Sequence, residues 1–255
     1  MRIIAFANQK GGVGKTTTAV NTSVMLAKCG FRVLLVDLDP QGNTTSSLGV
    51  DKADLERTVY DVVTDGVPVA EVAVPAVREN VDLLPTTPML AAAEVDLVSV
   101  VHRERQLKRA LAAVASEYDI AIIDCPPSLG LLTVNGLTAA QHVIVPIQCE
   151  FLALEGVSQL ITTIDLVKRQ LNPELDLLGV LMTMFDARTN LSSSVVAEVK
   201  RFFPDRIFTT VVPRSVRLAE APSYGQSIAE YDPTSRGGQA YSAFTNELIE
   251  RLGLR

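Results

Sequence analysis

Tryptophan is absent from this chain of 255 residues, and aromatic residues make up only 5% of it. Hydrophobic residues nevertheless account for 47% of the sequence and charged residues for 20%. This balance is typical of a globular protein, because a disordered chain has too few apolar residues to build a core. A chain of this length can bury a large core within one α/β domain.

Cysteine is scarce as well, and the three cysteines have no metal-ligand spacing. Their odd number suits a reducing compartment better than a disulfide framework. No apolar run reaches the roughly 20 residues that span a bilayer. No signal-peptide pattern precedes Arg2-Ile3-Ile4. We therefore expect a cytoplasmic protein.

The net charge is −6, which argues against a protein that binds nucleic acid over its whole surface. The charge is unevenly distributed, however, because the window from Arg188 to Arg217 contains six basic and two acidic residues. This window carries +4, and the rest of the chain carries −10. A local basic patch on an acidic protein can still bind phosphates weakly and in a salt-sensitive way.

Strand and helix patterns alternate along the chain, which predicts a mainly parallel twisted sheet with helices on both faces. Strands are predicted at Ile3–Asn8, Arg32–Asp37, Val81–Leu84, Ile120–Asp124, Val143–Ile147, Leu177–Met184 and Ile207–Val212. Helices are predicted at Thr16–Cys29, Arg103–Tyr118, Leu154–Leu171, Ser193–Phe203 and Ser235–Leu252. We expect a single domain over residues 1–255, with a possible small helical insertion at 50–80.

A glycine-rich turn follows the first predicted strand and leads into the first predicted helix. Its sequence is Asn8-Gln9-Lys10-Gly11-Gly12-Val13-Gly14-Lys15-Thr16-Thr17. Backbone N–H groups and the helix dipole at such a turn bind phosphate. We expect Lys15 to reach the β- and γ-phosphates of a nucleotide and the Thr16 hydroxyl to ligate Mg²⁺. Gln9 stands where the usual P-loop pattern has a glycine, and a second lysine, Lys10, follows it.

Acidic residues come at or just beyond the ends of two other apolar runs. Asp37 and Asp39 follow one run, and Asp124 follows another. Because ligands of open α/β sheets bind beyond the carboxyl ends of the strands, all three carboxylates are expected at the same edge as the glycine-rich turn. We expect Asp124 to hold Mg²⁺ directly or through water and Asp39 to orient an attacking water molecule.

Three of these motifs together resemble those of one protein family. The stretch Lys10–Thr17 looks like a deviant Walker A motif, Asp37–Asn43 like its Walker A′ partner, and Asp124–Ser128 like Walker B. This combination is similar to that of the ParA/Soj chromosome-partitioning ATPases of the ParA/MinD superfamily. The similarity covers nearly the whole chain, since it extends to residues 149–156, 184–190 and 212–223.

The resemblance implies the fold of a P-loop NTPase of the deviant Walker A type, with ATP and Mg²⁺ as cofactors. Two subunits would hold two ATP molecules face to face, and Lys10 would reach the phosphates of the partner subunit. Lys10, Lys15 and Asp39 would then be the catalytic residues, and Thr16 and Asp124 would hold the metal. The nucleotide would contact Lys10, Gly11, Gly12, Val13, Gly14, Lys15, Thr16 and Thr17, with Pro213 and Ser215 flanking the adenine.

The resemblance also implies partners for the chain. It places Arg188 and Arg217 on a surface that faces non-specific double-stranded DNA, and both residues lie within the basic window. The alternative is that these arginines are merely solvated or pair with Asp186 and Glu220. A ParB-type centromere-binding protein would stimulate slow ATP hydrolysis, which would release the DNA from the dimer. The protein would then associate with the nucleoid.

A MinD-like ATPase switch at the membrane surface is the closest alternative. It would need a basic, amphipathic anchor with bulky apolar residues, whereas the segment Asn246–Arg255 has two acids and no aromatic residue. We therefore expect no membrane partner. A nitrogenase-iron-protein-like redox role would need a cysteine pair in each subunit, and Cys125 and Cys149 do not fit that pattern. A small-molecule kinase would need an acceptor pocket, and no substrate-binding motif stands out.

Overall fold

Eight strands form one sheet in the computed structural model, which describes residues 1–151, 153–154 and 156–254. The strands are β1 (Arg2–Phe6), β2 (Val33–Asp37), β3 (Val74–Arg78), β4 (Val81–Leu84), β5 (Ile120–Asp124), β6 (His142–Gln148), β7 (Asp176–Phe185) and β8 (Ile207–Pro213). Their order across the sheet is β3-β4-β2-β5-β1-β6-β7-β8. Neighbouring strands are parallel except for the antiparallel pair β3 and β4. The predicted mainly parallel sheet is thus confirmed.

The helices connect these strands and cover the sheet. They are α1 (Lys15–Lys28), α2 (Asn43–Ser47), α3 (Val59–Thr64), α4 (Val69–Val72), α5 (Ala93–Asp96), α6 (Gln106–Ala113), α7 (Leu131–Ala139), α8 (Val157–Gln170), α9 (Asn190–Phe202), α10 (Val216–Glu220), α11 (Ile228–Tyr231) and α12 (Arg236–Leu252). Among the described residues, no helix combines the length and the apolar character that crossing a bilayer requires.

The core consists of two apolar layers, one on each face of the sheet. Successive side chains of a strand point to opposite faces, so Ile3 and Ala5 of β1 pack in one layer while Ile4 and Phe6 pack in the other. The first layer is completed by α3, α6, α7 and α8, and the second by α1 and α12. The predicted arrangement of helices on both faces is confirmed.

Some predicted element bounds were wrong. The helix predicted at Arg103–Tyr118 is shorter, because a 3₁₀ turn occupies Arg103–Arg105 and α6 ends at Ala113. Helix α8 begins at Val157, whereas the predicted start was Leu154. Two residues near this helix start, Leu152 and Glu155, lie outside the described part of the chain. Both belong to the motif at 149–156, and Glu155 also belongs to the predicted helix.

Residues 50–80 form short elements at one edge of the sheet. A 3₁₀ turn at Lys52–Asp54 precedes α3 and α4, and β3 then pairs with β4. Strand β3 contains Pro75, which lacks the N–H needed inside a sheet and is tolerated at its edge.

The packing of α12 against β8 gives a test of the core. Phe244 of α12 is fully buried, and its ring lies 4.8 Å from that of Phe208 in an edge-to-face arrangement. We expect Phe244→Ala to lower the free energy of unfolding by about 3–5 kcal/mol, because it removes a buried aromatic ring and leaves a cavity. Denaturant titration measures this difference. Phe202→Ala is the matched control, since Phe202 is 65% exposed; equal losses in the two variants would contradict this account of the core.

Candidate nucleotide-binding site

The register of three central strands brings the predicted site residues together. Asp37 at the end of β2 is paired with Asp124 at the end of β5, and Asp124 is paired with Phe6 at the end of β1. Neighbouring strands lie about 4.8 Å apart, so the glycine-rich turn that follows β1 starts beside Asp124, with Asp37 one strand further along the sheet. The expected convergence at one sheet edge is what the structure shows.

Two glycines give the turn its shape. Gly12 and Gly14 have φ angles of 73° and 88°, a region that other residues adopt only with strain. Gly14 is the residue immediately before α1, so the turn directs the free N–H groups of the helix toward its concave side. The Thr183 hydroxyl of β7 donates to the carbonyl of Val13 at 2.8 Å and holds the turn from a strand two places away from β1 in the sheet.

The two lysines of the turn have different environments. Lys15 is only 6% exposed, and its Nζ donates to the carbonyl oxygen of Lys10 at 3.3 Å. Burial lowers the pKa of Lys15, while the nearby charges of Asp124 and Asp39 oppose that shift. The Lys10 side chain is half-buried and makes no ion pair within the described residues. Lys10 is thus the more exposed of the two lysines.

Asn8, for which the sequence predicted no role, holds the backbone of Lys10 through its side chain. Its side-chain amide donates to the carbonyl of Pro146 at 2.6 Å, and its side-chain oxygen accepts from the Lys10 backbone N–H at 3.0 Å. Asn8 thereby ties the start of the turn to β6. Only its position at the end of the first apolar run could have indicated this role.

Asp124 is completely buried, and its two carboxylate oxygens differ. Oδ2 accepts hydrogen bonds from the hydroxyls of Thr16 at 2.7 Å and Thr44 at 2.8 Å. Oδ1 is buried and has no hydrogen-bond partner among the described residues. Burial raises the pKa of Asp124 to about 6. An unpartnered carboxylate oxygen beside a threonine hydroxyl fits Mg²⁺, which prefers hard oxygen ligands and keeps several water molecules.

The two aspartates of the Walker A′ stretch, Asp37 and Asp39, make different contacts. Asp39 lines the cavity beside the glycine-rich turn, and its Oδ1 accepts from the Gln41 backbone N–H at 2.9 Å. Asp37 instead accepts from the backbone N–H and the hydroxyl of Thr45, both at 2.7 Å, in the first turn of α2. Burial, reinforced by the charge of Asp124, raises the pKa of Asp37 to about 7. Asp37 therefore holds α2 in place, while Asp39 faces the site.

Two adjoining cavities extend from the turn. The first, which we call the phosphate cavity, measures about 440 Å³ and is lined by Gly11, Gly12, Gly14, Lys15, Thr16, Thr17, Asp39, Gln41, Asn43, Ser47, Pro127, Met184 and Pro222. The second, the base cavity, measures about 250 Å³ and is mostly apolar. Gly14, Thr17 and Met184 line both cavities. One elongated ligand with a charged end and a flat apolar end can therefore occupy the pair.

The residues expected near the adenine line the base cavity. Pro213 ends β8, and Ser215 is the residue immediately before α10. Gly14 and Thr17, also expected to contact the nucleotide, line this cavity too, whereas sequence reasoning did not assign roles to Leu218 and Tyr241, whose apolar surfaces suit a flat base. The buried hydroxyl of Tyr241 lies 3.1 Å from that of Thr18 in α1.

Both arginines expected to face DNA lie outside these cavities and are paired with acids. Arg188 contacts Asp186 at 2.6 Å, and Arg217 contacts Glu220 at 3.1 Å. These are the two pairings that the alternative interpretation allowed. Arg206 and Arg214 of the same basic window also pair, with Asp176 and Glu150 respectively. Because all four of these carboxylates come from outside the window, the local field is weaker than its charge of +4 indicates.

Comparison with known proteins places the chain in a family. The family described as AAA domain matches residues 1–177. Over 247 residues the chain is 56% identical to the sporulation initiation inhibitor protein Soj of Bacillus subtilis (strain 168), covering 97% of this chain and 98% of Soj. Over 250 residues it is 50% identical to the chromosome partitioning protein ParA of Myxococcus xanthus (strain DK1622), covering 98% of this chain and 88% of that protein.

Solved structures agree with these sequence matches. The cobyrinic acid a,c-diamide synthase of Mycobacterium smegmatis with bound ADP and magnesium has a TM-score of 0.88 and 43% identity, covering 99% of this chain and 96% of that one. The McdA–ATP complex of Cyanothece, at 24% identity, has the same fold with a TM-score of 0.89. A second structure of the Mycobacterium smegmatis protein, with a TM-score of 0.88 and 43% identity, holds an ATP analogue and magnesium. From its motifs, its fold and these relatives, the chain belongs to the ParA/Soj family of chromosome-partitioning P-loop ATPases.

Proposed function

We propose that this chain is an ATP-driven switch for DNA partitioning. ATP and Mg²⁺ would join two subunits face to face, the dimer would bind double-stranded DNA, and hydrolysis would separate the subunits and release the DNA. The observation that carries this proposal is Lys10, a lysine without an ion pair in the described chain that adjoins Gly11 at the rim of the phosphate cavity. A cation at this rim can reach the phosphates of a nucleotide held by a second subunit.

The proposed hydrolysis relies on positioning and charge rather than on covalent chemistry. Mg²⁺, held by Thr16 and Asp124, would neutralise charge on the phosphates. Lys15 would stabilise the transferred γ-phosphoryl group from its own subunit, and Lys10 would do so from the partner. Asp39 would accept a hydrogen bond from the attacking water molecule and orient it toward phosphorus. We propose that turnover is slow until a ParB-type partner stimulates it.

The proposed DNA surface consists of Arg188 and Arg217. Their side chains are 86% and 55% exposed, and exposed ion pairs contribute little to stability. Phosphates can therefore replace the carboxylates as partners, and arginine suits their geometry. One subunit offers few contacts, whereas an ATP-bound dimer doubles them, so nucleotide state would control affinity without reshaping the surface. We accordingly propose a cytoplasmic, nucleoid-associated protein.

The packing of α12 argues against the membrane-surface alternative. Tyr241, Phe244 and Leu248 of this helix are buried against the sheet. An interfacial helix needs its apolar face free to enter lipid. The apolar face of α12 is already used by the core.

The two lysines of the glycine-rich turn should separate binding from dimerisation. We expect Lys15→Ala to weaken ATP binding by about 100-fold, because it removes a buried cation that forms charge-assisted hydrogen bonds with phosphate. Lys10→Ala should keep ATP binding by the monomer but lose the ATP-dependent dimer. Titration with a fluorescent ATP analogue and light scattering measure the two properties. Dimer formation by Lys10→Ala as in wild type would argue against the proposed role of Lys10.

Removing Asp39 should leave the switch in its ATP-bound state. We expect Asp39→Ala to bind ATP and dimerise but to release phosphate at least about 100-fold more slowly, since the attacking water loses its orienting group. Phosphate release after mixing with ATP and Mg²⁺ measures this, and DNA retention should lengthen in parallel. Asp54→Ala, in the exposed 3₁₀ turn, serves as control. Rapid turnover by Asp39→Ala would exclude this assignment.

DNA binding should depend on ATP, on salt and on the two arginines. We expect wild type to bind random-sequence duplex only with ATP and Mg²⁺. In the double variant Arg188→Ala/Arg217→Ala, the salt slope of log K should shrink by about 0.9 for each phosphate that the variant no longer neutralises. Lys200→Ala/Arg201→Ala, on α9, provides a comparison of equal charge. If wild type dimerises with ATP but ignores DNA in every nucleotide state, the partition function is wrong and vesicle binding becomes the next assay.

A further inference from the structure

A carboxylate from a distant part of the chain caps the helix that follows Asp124. Oε2 of Glu94 accepts from the Leu131 backbone N–H at 2.8 Å, and Oε1 accepts from the Leu132 N–H at 3.2 Å. These two N–H groups begin α7, whose own preceding residue, Gly130, provides no side-chain cap. A negative charge at a helix N-terminus is also favoured by the helix dipole. Glu94 therefore caps α7 as a serine or aspartate at the residue just before a helix usually does.

The Glu94 carboxylate fills the space beside Gly130. A Cβ atom placed on Gly130 would lie 2.4 Å from Oε1 of Glu94 and 2.8 Å from its Cδ. The backbone itself does not require glycine, because φ is −77° and ψ is −171°. A side chain at position 130 would therefore displace the end of the Glu94 side chain from its present place.

Glu94 is itself firmly anchored. It lies in α5, between 3₁₀ turns at Pro88–Ala92 and Leu97–Ser99. Leu90, Ala93 and Leu97 of this segment are completely buried in the core. The core therefore holds the segment from which the Glu94 side chain reaches α7.

The capped end of α7 controls a loop of the phosphate cavity. Residues 125–130 connect Asp124 to α7, and Pro127 of this loop lines the cavity. The Thr133 hydroxyl in the first turn of α7 donates to the Ser128 carbonyl at 2.7 Å. The loop is thus fixed at one end by β5 and at the other by the first turn of α7. Movement of that turn would shift Pro127 and the adjoining wall of the cavity.

We propose that Glu94 is a positioning residue for ATP hydrolysis. It does not line the phosphate cavity; it acts through α7, which it holds so that the loop at 125–130 keeps its place beside the γ-phosphate. This inference rests on the proposed ATPase function and adds to it a residue that none of the three motifs contains. Nucleotide binding, which uses the glycine-rich turn and α1, does not depend on this contact.

Reciprocal substitutions at the contact provide the test. Glu94→Ala should slow single-turnover phosphate release by about tenfold, which corresponds to about 1.4 kcal/mol and lies within the range that a helix cap contributes to stability. Its affinity for a fluorescent ATP analogue should be unchanged. Amide hydrogen exchange in a peptide covering residues 125–133 should rise. Gly130→Ala alone should also slow phosphate release, since its Cβ displaces the Glu94 carboxylate and alanine offers no cap of its own. The double variant Glu94→Ala/Gly130→Ser should recover most of the wild-type rate, because a serine hydroxyl can cap α7 directly.

Recovery in the double variant separates positioning from general stability. Glu94→Gln, which keeps one acceptor oxygen, should lie between wild type and Glu94→Ala in both phosphate release and exchange. Glu94→Ala that hydrolyses ATP like wild type while its exchange rises would overturn the proposal. So would loss of ATP affinity together with hydrolysis, without recovery in the double variant. If wild type itself releases no phosphate, the proposed function fails first, while hydrogen exchange still reports whether Glu94 caps α7.

Discussion

Asp37, Asp124 and the start of the glycine-rich turn lie side by side because β2, β5 and β1 run parallel in a fixed register. That register is set by burial, since every residue of β2 and β5 is buried. A slip by one residue would turn Asp124 to the other face of the sheet and put apolar side chains in the wrong layer. The geometry of the site is therefore specified by the hydrophobic core, and the polar residues use an arrangement that the core has already fixed.

The site contains more buried charge than its own hydrogen bonds compensate. Lys15, Asp37 and Asp124 are all buried. Burial lowers the pKa of Lys15 and raises the pKa of both aspartates, and each shift favours the neutral form of the group. Hydroxyl donors from Thr16 and Thr44 relieve one oxygen of Asp124 and leave the other without a partner among the described residues. Burying such groups costs free energy that a cation and a polyphosphate recover on binding. Binding of the cofactors would therefore gain affinity by relieving this cost.

The parts that the sequence predicted well are those with a local signal. Strand β5 has its predicted bounds because a continuous apolar run ends at Asp124, and β4, which contains Asp82, ends just before Pro85. Helix α7 was missed, since Thr133, Asn135 and Thr138 are buried along with its leucines and leave no polar face to reveal helical periodicity. Most residues that line the phosphate cavity belong to the three motifs, but Ser47, Met184 and Pro222 do not. The contacts of Thr44 and Glu94 could not be predicted, because their partners lie 80 and 37 residues away and nothing adjacent marks either contact.

The carboxylates that pair with Arg188 and Arg217 have an energetic consequence on the proposed DNA surface. Each guanidinium would exchange one anion for another instead of passing through a state in which it is bare. Part of the energy of each new contact would then be offset by the ion pair that it replaces. The acids beside these arginines would thus keep the affinity of a single subunit for DNA low, so that binding would depend on contacts from both subunits.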